Sequence, residues 1–233
     1  MPLLNDAVRE KARSILSAMP NPVKLVVFTR ELECAHCREN RLLAEEVKTL
    51  SDKLSLEVHN FVLDSDAARE YRVDKVPATC VVGETGSRFR FYGVPAGYEF
   101  TSLLAAIDLV SKRDSGLRTD LRERLAGLKA PVDIQVFATL TCPFCPFAAV
   151  QALKFAMASP LVTVSVVDSA EFPQLANRYD VLAVPRTVIN QRRMFDGVIS
   201  DERMLEEILA AASEPAAPAP SQPVPAPTQN QEP

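Results

Sequence analysis

Short, continuous apolar runs alternate along this chain with longer stretches that mix apolar and charged positions, the pattern of buried strands joined by surface helices. From the N-terminus, residues 6–18 predict a helix, 23–28 a strand, 38–50 a helix, 54–61 a strand and 66–71 a short helix. Pro77 then precedes a strand at 78–82, a turn at Gly83 and Gly86, a strand at 88–92, Gly93 and a closing helix at 99–111. The succession starts again with helix 117–128, strand 132–137, helix 142–158, strand 161–167, helix 172–179, strands 187–189 and 192–195, and helix 201–212. Each half predicts strands joined in parallel by helices, followed by a hairpin and a final helix.

Identities repeat as well as pattern. At an offset of 108, Cys34 maps to Cys142, Cys37 to Cys145, Tyr71 to Tyr179, Val73 to Val181, Val76 to Val184, Pro77 to Pro185 and Thr79 to Thr187. Each Cys-x-x-Cys is thus followed by the same Val-Pro-x-Thr, whose proline lies 40 residues after the second cysteine. The expected fold class is α/β, two tandem copies of one fold, each a central mixed sheet flanked by helices. The units are placed at residues 1–112 and 113–213, with a seam near 111–116 where Lys112, Arg113 and Asp114 interrupt the apolar periodicity. Residues 214–233 are different material: seven of the chain's 18 prolines fall there among Ala, Ser and Gln. That composition cannot bury enough apolar area to offset its ordering entropy, so an extended or disordered tail is expected.

Composition narrows the function classes. With 47% hydrophobic and 24% charged residues the chain reads as globular. A net charge of −4 gives no basic footprint for nucleic acid. No apolar run is long enough to span a bilayer, so no membrane role is expected. The first 19 residues interleave Asp6, Arg9, Glu10, Lys11 and Arg13 with apolar positions, which reads as an amphipathic helix and not a signal peptide. Five cysteines, four of them in Cys-x-x-Cys pairs, argue against a secreted disulfide framework, and a cytoplasmic address is expected.

The pairs Cys34-Ala35-His36-Cys37 and Cys142-Pro143-Phe144-Cys145 each follow a predicted strand and open a predicted helix, the context of a thioredoxin-like redox motif. Thiol–disulfide exchange needs a thiolate, and a helix N-terminus stabilises one. Cys34 and Cys142 are read as the nucleophiles. Cys37 and Cys145, one turn inward, would resolve the mixed disulfide. The expected redox groups are the disulfides Cys34–Cys37 and Cys142–Cys145, with no metal and no other cofactor. Pro143 suits a first helical turn. His36 could place positive charge beside Cys34, or could simply face solvent.

Val76-Pro77 and Val184-Pro185 recur at a fixed distance from the cysteines, which raises the expectation of a cis bond at each. Such a bond would turn the backbone toward the sulfurs and leave amide and carbonyl groups to pair with an extended substrate. Cys80, among small apolar neighbours, reads as a buried inert thiol and His59 as structural. A zinc tetrathiolate is the rival use of four cysteines, but here the pairs lie in separate repeats.

With both pairs, both Val-Pro-x-Thr segments and the run Phe91-Tyr92-Gly93-Val94-Pro95-Ala96-Gly97-Tyr98-Glu99-Phe100 in view, the chain resembles the two-unit protein disulfide oxidoreductases, which are glutaredoxin-like proteins. The resemblance covers residues 5–212. It implies two fused thioredoxin folds and activity in dithiol oxidation, disulfide reduction and isomerisation on protein thiol and disulfide substrates. It further implies a thioredoxin-reductase-type flavoenzyme as electron donor. The second pair is similar to the glutaredoxin-type Cys-Pro-Tyr-Cys, with Phe for Tyr. The first departs further, carrying His as periplasmic oxidases and isomerases do.

No Trp precedes either pair, and where thioredoxins carry an Asp six residues before the first cysteine this chain has Phe28 and Val136. An acid relaying protons would have to come from elsewhere, with Glu31 and Glu33 as the nearby candidates. The segment 97–103 also looks like the two-fold N-terminal domain of bacterial alkyl hydroperoxide reductase flavoproteins. That resemblance implies a peroxiredoxin as acceptor.

Overall fold

Asn5 caps the first helix by accepting a hydrogen bond from the Val8 N–H at 2.9 Å. From there the first half of the chain runs α1 (Asp6–Ser17), β1 (Val23–Thr29), α2 (Cys37–Lys48), β2 (Leu54–Asn60), α3 (Ser65–Glu70), β3 (Ala78–Gly83), β4 (Gly86–Tyr92) and α4 (Glu99–Lys112). The second runs α5 (Thr119–Ala126), β5 (Val132–Ala138), α6 (Cys145–Ala158), β6 (Val162–Asp168), α7 (Pro173–Arg178), β7 (Arg186–Ile189), β8 (Arg193–Asp196) and α8 (Asp201–Ser213). The computed structural model describes residues 3–84 and 86–214. Apart from Glu214, the expectation of a disordered tail lies outside the described residues.

The strands form one sheet in the order β2-β1-β3-β4-β6-β5-β7-β8. Within each half the central strand pairs in parallel with the strand after its Cys-led helix and antiparallel with the strand after its proline. A hairpin partner completes each half. The halves join through β4 and β6, which pair in parallel with Phe89 opposite Val164 and Tyr92 opposite Val167. This join was not legible in the sequence. It makes β1, β2, β4, β5, β6 and β8 run one way, so both cysteine loops, which follow β1 and β5, lie at one edge of the sheet.

Side chains alternate across the sheet. Leu25, Val27, Phe89, Phe91, Ile134, Val136, Val164 and Val166 face one core that extends through both halves under α1, α2, α4, α5, α6 and α8. Val26, Phe28, Cys80, Tyr92, Phe137 and Val188 face the other side, covered by the short α3 and α7. The units therefore share one continuous apolar layer. Among the described residues no helix is long and apolar enough to cross a membrane.

The helices α2 and α6 begin at the second cysteine of each pair, not at the first. This corrects the expectation that Cys34 and Cys142 are helical and that their partners lie a turn inward. Pro143 likewise sits in the turn before α6, and Pro146 occupies its first turn. The physical reason is the closed ring: a three-residue bridge needs the chain to turn before the helix can propagate.

Strand register also departs from the uniform repeat. Val23 lies opposite Leu54 and Val132 opposite Val162, so β1 maps to β5 at an offset of 109 while β2 maps to β6 at 108. Phe28 therefore corresponds to Phe137, one residue on from Val136.

Candidate active sites

Cys34 is bonded to Cys37 and Cys142 to Cys145. In the first pair Cys34 is partly exposed, and Cys37 is 2% exposed. In the second Cys142 is 8% exposed and Cys145 fully buried. Each pair thus offers its first sulfur to solvent more than its second.

The backbone amides at the helix starts bear on these sulfurs. The Cys145 N–H donates to Cys142 Sγ at 3.1 Å, and the Arg30 N–H donates to Cys37 Sγ at 3.3 Å. The amide at Cys145 is one of the four that a helix leaves without an internal partner, so α6 directs its positive end at the outer sulfur even though Cys142 is not helical.

Val76-Pro77 and Val184-Pro185 are both cis. Cys142 Sγ lies 3.8 Å from the Val184 carbonyl oxygen, so the second proline loop abuts the reactive sulfur. Each proline carbonyl is already committed, accepting from Gly93 N–H at 3.0 Å and Gly197 N–H at 2.8 Å. Among the described residues nothing bonds the Val76 amide or carbonyl. In the first half Asn40 of α2, 1% exposed, ties this loop to the helix: its Nδ2 donates to Ala78 O at 3.3 Å, and its Oδ1 accepts from Thr79 Oγ1 at 3.0 Å. Around the second site Phe144, Phe147 and Leu182 stand 65%, 63% and 94% exposed, an apolar rim beside Cys142.

His36, the N-cap of α2, makes no capping bond. Its Nδ1 instead meets the Glu171 carboxylate, carried by the second half just beyond β6. His59 stacks on Phe28 at 5.4 Å, and Cys80 is buried on β3, away from either disulfide. Among the described residues no group of three or more His, Cys, Asp or Glu converges on one point, and the two cysteine pairs stay on separate helices.

Glu31 and Glu33 are exposed, and Glu33 pairs with Arg30. The buried acid is Glu99, the first residue of α4, 3% exposed with neither carboxyl oxygen hydrogen-bonded among the described residues. Burial pushes its carboxyl up to about 7; the nearby Ser102 hydroxyl opposes this without reaching bonding geometry, and the Asp168 charge adds to it.

Glu99 belongs to the first half but faces the loop that delivers Cys142. The Tyr98 N–H donates to Leu140 O at 3.0 Å. Gly97, at φ +56°, approaches so closely that a Cβ there would stand 2.4 Å from the same oxygen. A cavity of about 10 Å³, room for roughly one water, is bounded by Glu99, Leu140, Val166 and Asp168. The signal for this in the sequence was Gly93-Val94-Pro95-Ala96-Gly97, which the second half replaces with Gly197-Val198-Ile199-Ser200-Asp201.

Residues 132–210 match the family model described as a thioredoxin domain. The alkyl hydroperoxide reductase flavoprotein component, AhpF, of Pseudomonas aeruginosa is 26% identical over 212 residues, 91% of this chain and 38% of that protein. The chain therefore spans well under half the length of the curated relatives it matches. The NTD_N/C domain of AhpF from Enterococcus faecalis shares the fold, with a TM-score of 0.82 at 24% identity over 88% of this chain and 99% of that one. A protein disulfide oxidoreductase from Aeropyrum pernix superposes with a TM-score of 0.82 at 31% identity, over 89% of this chain and 93% of that one. Similar nearly end to end in sequence and fold, and with both cysteine pairs closed on one edge of a doubled thioredoxin-like sheet, the chain belongs to the protein disulfide oxidoreductase family.

Proposed function

We propose that this protein exchanges thiols and disulfides with protein substrates at two centres, Cys34–Cys37 and Cys142–Cys145. The observation that carries the reading is the asymmetry within each pair: an outer sulfur open to solvent, an inner one buried, and a cis-proline loop beside them. In the reduced protein the outer thiolate attacks a substrate disulfide, forming a mixed disulfide and releasing one substrate thiol. The inner thiol then gives up its proton and attacks the outer sulfur, which closes the protein disulfide and frees the second substrate thiol. Two electrons pass to substrate. At the second centre Glu99, with its carboxyl near neutrality, is suited to take the proton from Cys145. The unbonded backbone of Val76 suits pairing with an extended substrate, and the rim of Phe144, Phe147 and Leu182 suits an apolar protein surface.

A dithiol-delivering flavoenzyme of the thioredoxin-reductase type would restore the reduced form, in a cytoplasmic setting. A second reading, electron donation to a peroxiredoxin, is favoured by the likeness to AhpF. Cys142→Ser is expected to abolish most insulin reduction, and Cys145→Ser to accumulate mixed disulfides with substrate. Full activity in both variants overturns the reading. Peroxide consumption with a purified peroxiredoxin, against insulin reduction at equal enzyme, ranks the two acceptors.

A further inference from the structure

We propose that Glu171, on the second unit, is the positioning residue that sets the redox poise of the first unit's disulfide through His36. This rests on the first pair cycling as described above. His36 stands between Cys34 and Cys37, with its side chain 47% exposed, while Glu171 is 14% exposed. The contact runs from the imidazole Nδ1 to the carboxylate. An ionised carboxylate can only accept, so Nδ1 donates, and Nε2 is left as the nitrogen that can hold a second proton or donate to a sulfur anion.

The arrangement has the logic of a nucleophile, an imidazole and an orienting carboxylate, with the carboxylate supplied across the join between units. Glu171 fixes the ring that would otherwise swing in solvent, and it provides the counter-charge against which the ring stays cationic beside Cys34. A cation there stabilises the Cys34 thiolate, hence the reduced pair, and makes the disulfide more oxidising. The other acids on the groove of about 530 Å³ that His36 lines are Glu39 and Asp168. Neither is bonded to the ring.

The join explains why the pair can form. Because β4 and β6 run parallel, the loop after β6 opens at the same edge of the sheet as the loop after β1. No sequence motif connects residue 36 with residue 171.

The test is equilibration of the full chain with glutathione, in which the protein disulfide and two molecules of glutathione exchange for the protein dithiol and one glutathione disulfide. The two pairs are read separately by alkylation and mass mapping. Glu171→Gln is expected to lower the equilibrium constant for reduction of Cys34–Cys37 about tenfold at pH 7, ~30 mV for a two-electron couple. Glu171→Asp restores part of the loss. His36→Ala reproduces it, and Glu171→Gln adds nothing in that background. Glu39→Gln changes nothing, and Cys142–Cys145 keeps its value in every variant, which certifies the fold.

An unchanged first pair in Glu171→Gln overturns the proposal, as does a shift that persists without His36 or one toward a more oxidising couple. If Cys34–Cys37 never exchanges with glutathione even in the parent protein, the proposed function of that centre fails instead.

Discussion

Replacing Glu99 with Gln removes a charge the fold holds at a cost, and the effect should depend on pH in a defined way. Burial raises the carboxyl from its ordinary 4.5 to about 7. Between those values the folded protein keeps a proton that the unfolded chain has lost. Stability therefore falls as pH rises through the window and levels off above about 7. Each tenfold change in proton affinity is worth about 1.4 kcal/mol, so an ionised Glu99 costs the native state about 3 kcal/mol at pH 8.

Gln keeps the shape and never ionises. Urea unfolding of the oxidised protein at pH 5 and pH 8 should give nearly equal stabilities for parent and variant at the lower pH. At the higher pH the variant should gain about 3 kcal/mol. The same variant should slow mixed-disulfide resolution at Cys142–Cys145 and spare Cys34–Cys37. A constant difference between the two proteins across this pH range refutes the reasoning, because it places the carboxyl where water still reaches it.

Two further substitutions probe the surroundings of the sites. Gly97→Ala puts a methyl 2.4 Å from Leu140 O in a left-handed backbone. It should destabilise by about 2–3 kcal/mol from the conformational and steric costs together and slow exchange at Cys142 more than at Cys34, read by urea midpoint and single-site kinetics. Asn40→Ala leaves the buried Thr79 hydroxyl and Ala78 carbonyl without their side-chain partner. A loss of about 1–3 kcal/mol is expected, with slower exchange at the first centre only, checked by denaturant melts and by activity of a Cys142→Ser background.

The paired cysteines, the two prolines and the strand–helix succession were legible because each depends on local chemistry repeated in register. What was hidden depends on the two halves meeting. The β4–β6 join leaves no trace in periodicity, since Phe89 and Phe91 would face a core in either a lone or a fused unit. Glu99 looks like an ordinary acid in a first helical turn and becomes unusual only when the Leu140 loop closes over it. Glu171 sits in a loop with no pattern at all. The single-residue slip between β1 and β5 was masked because the cysteines, not the strands, fixed the alignment of the repeat. Pro143 misled for a related reason: the helix start was drawn from the motif, while the bridge geometry delays it to Cys145.

The join between halves carries one more implication. It unites the hairpin edge of one unit with the opposite edge of the next, a head-to-tail contact that leaves the same two kinds of edge at the ends, β8 and β2. Repeated between molecules, that contact would grow an open polymer. The outer strands are built to refuse it. β8 has four residues where β4 has seven. β2 carries Glu57 and His59 where β6 has Ser165 and Val167, so the terminal strand keeps charge and water along the rim that its internal counterpart surrenders. The doubling that made this sheet thus came with its own stop signal, and restoring β6-like residues to β2 would be the shortest route to fibres.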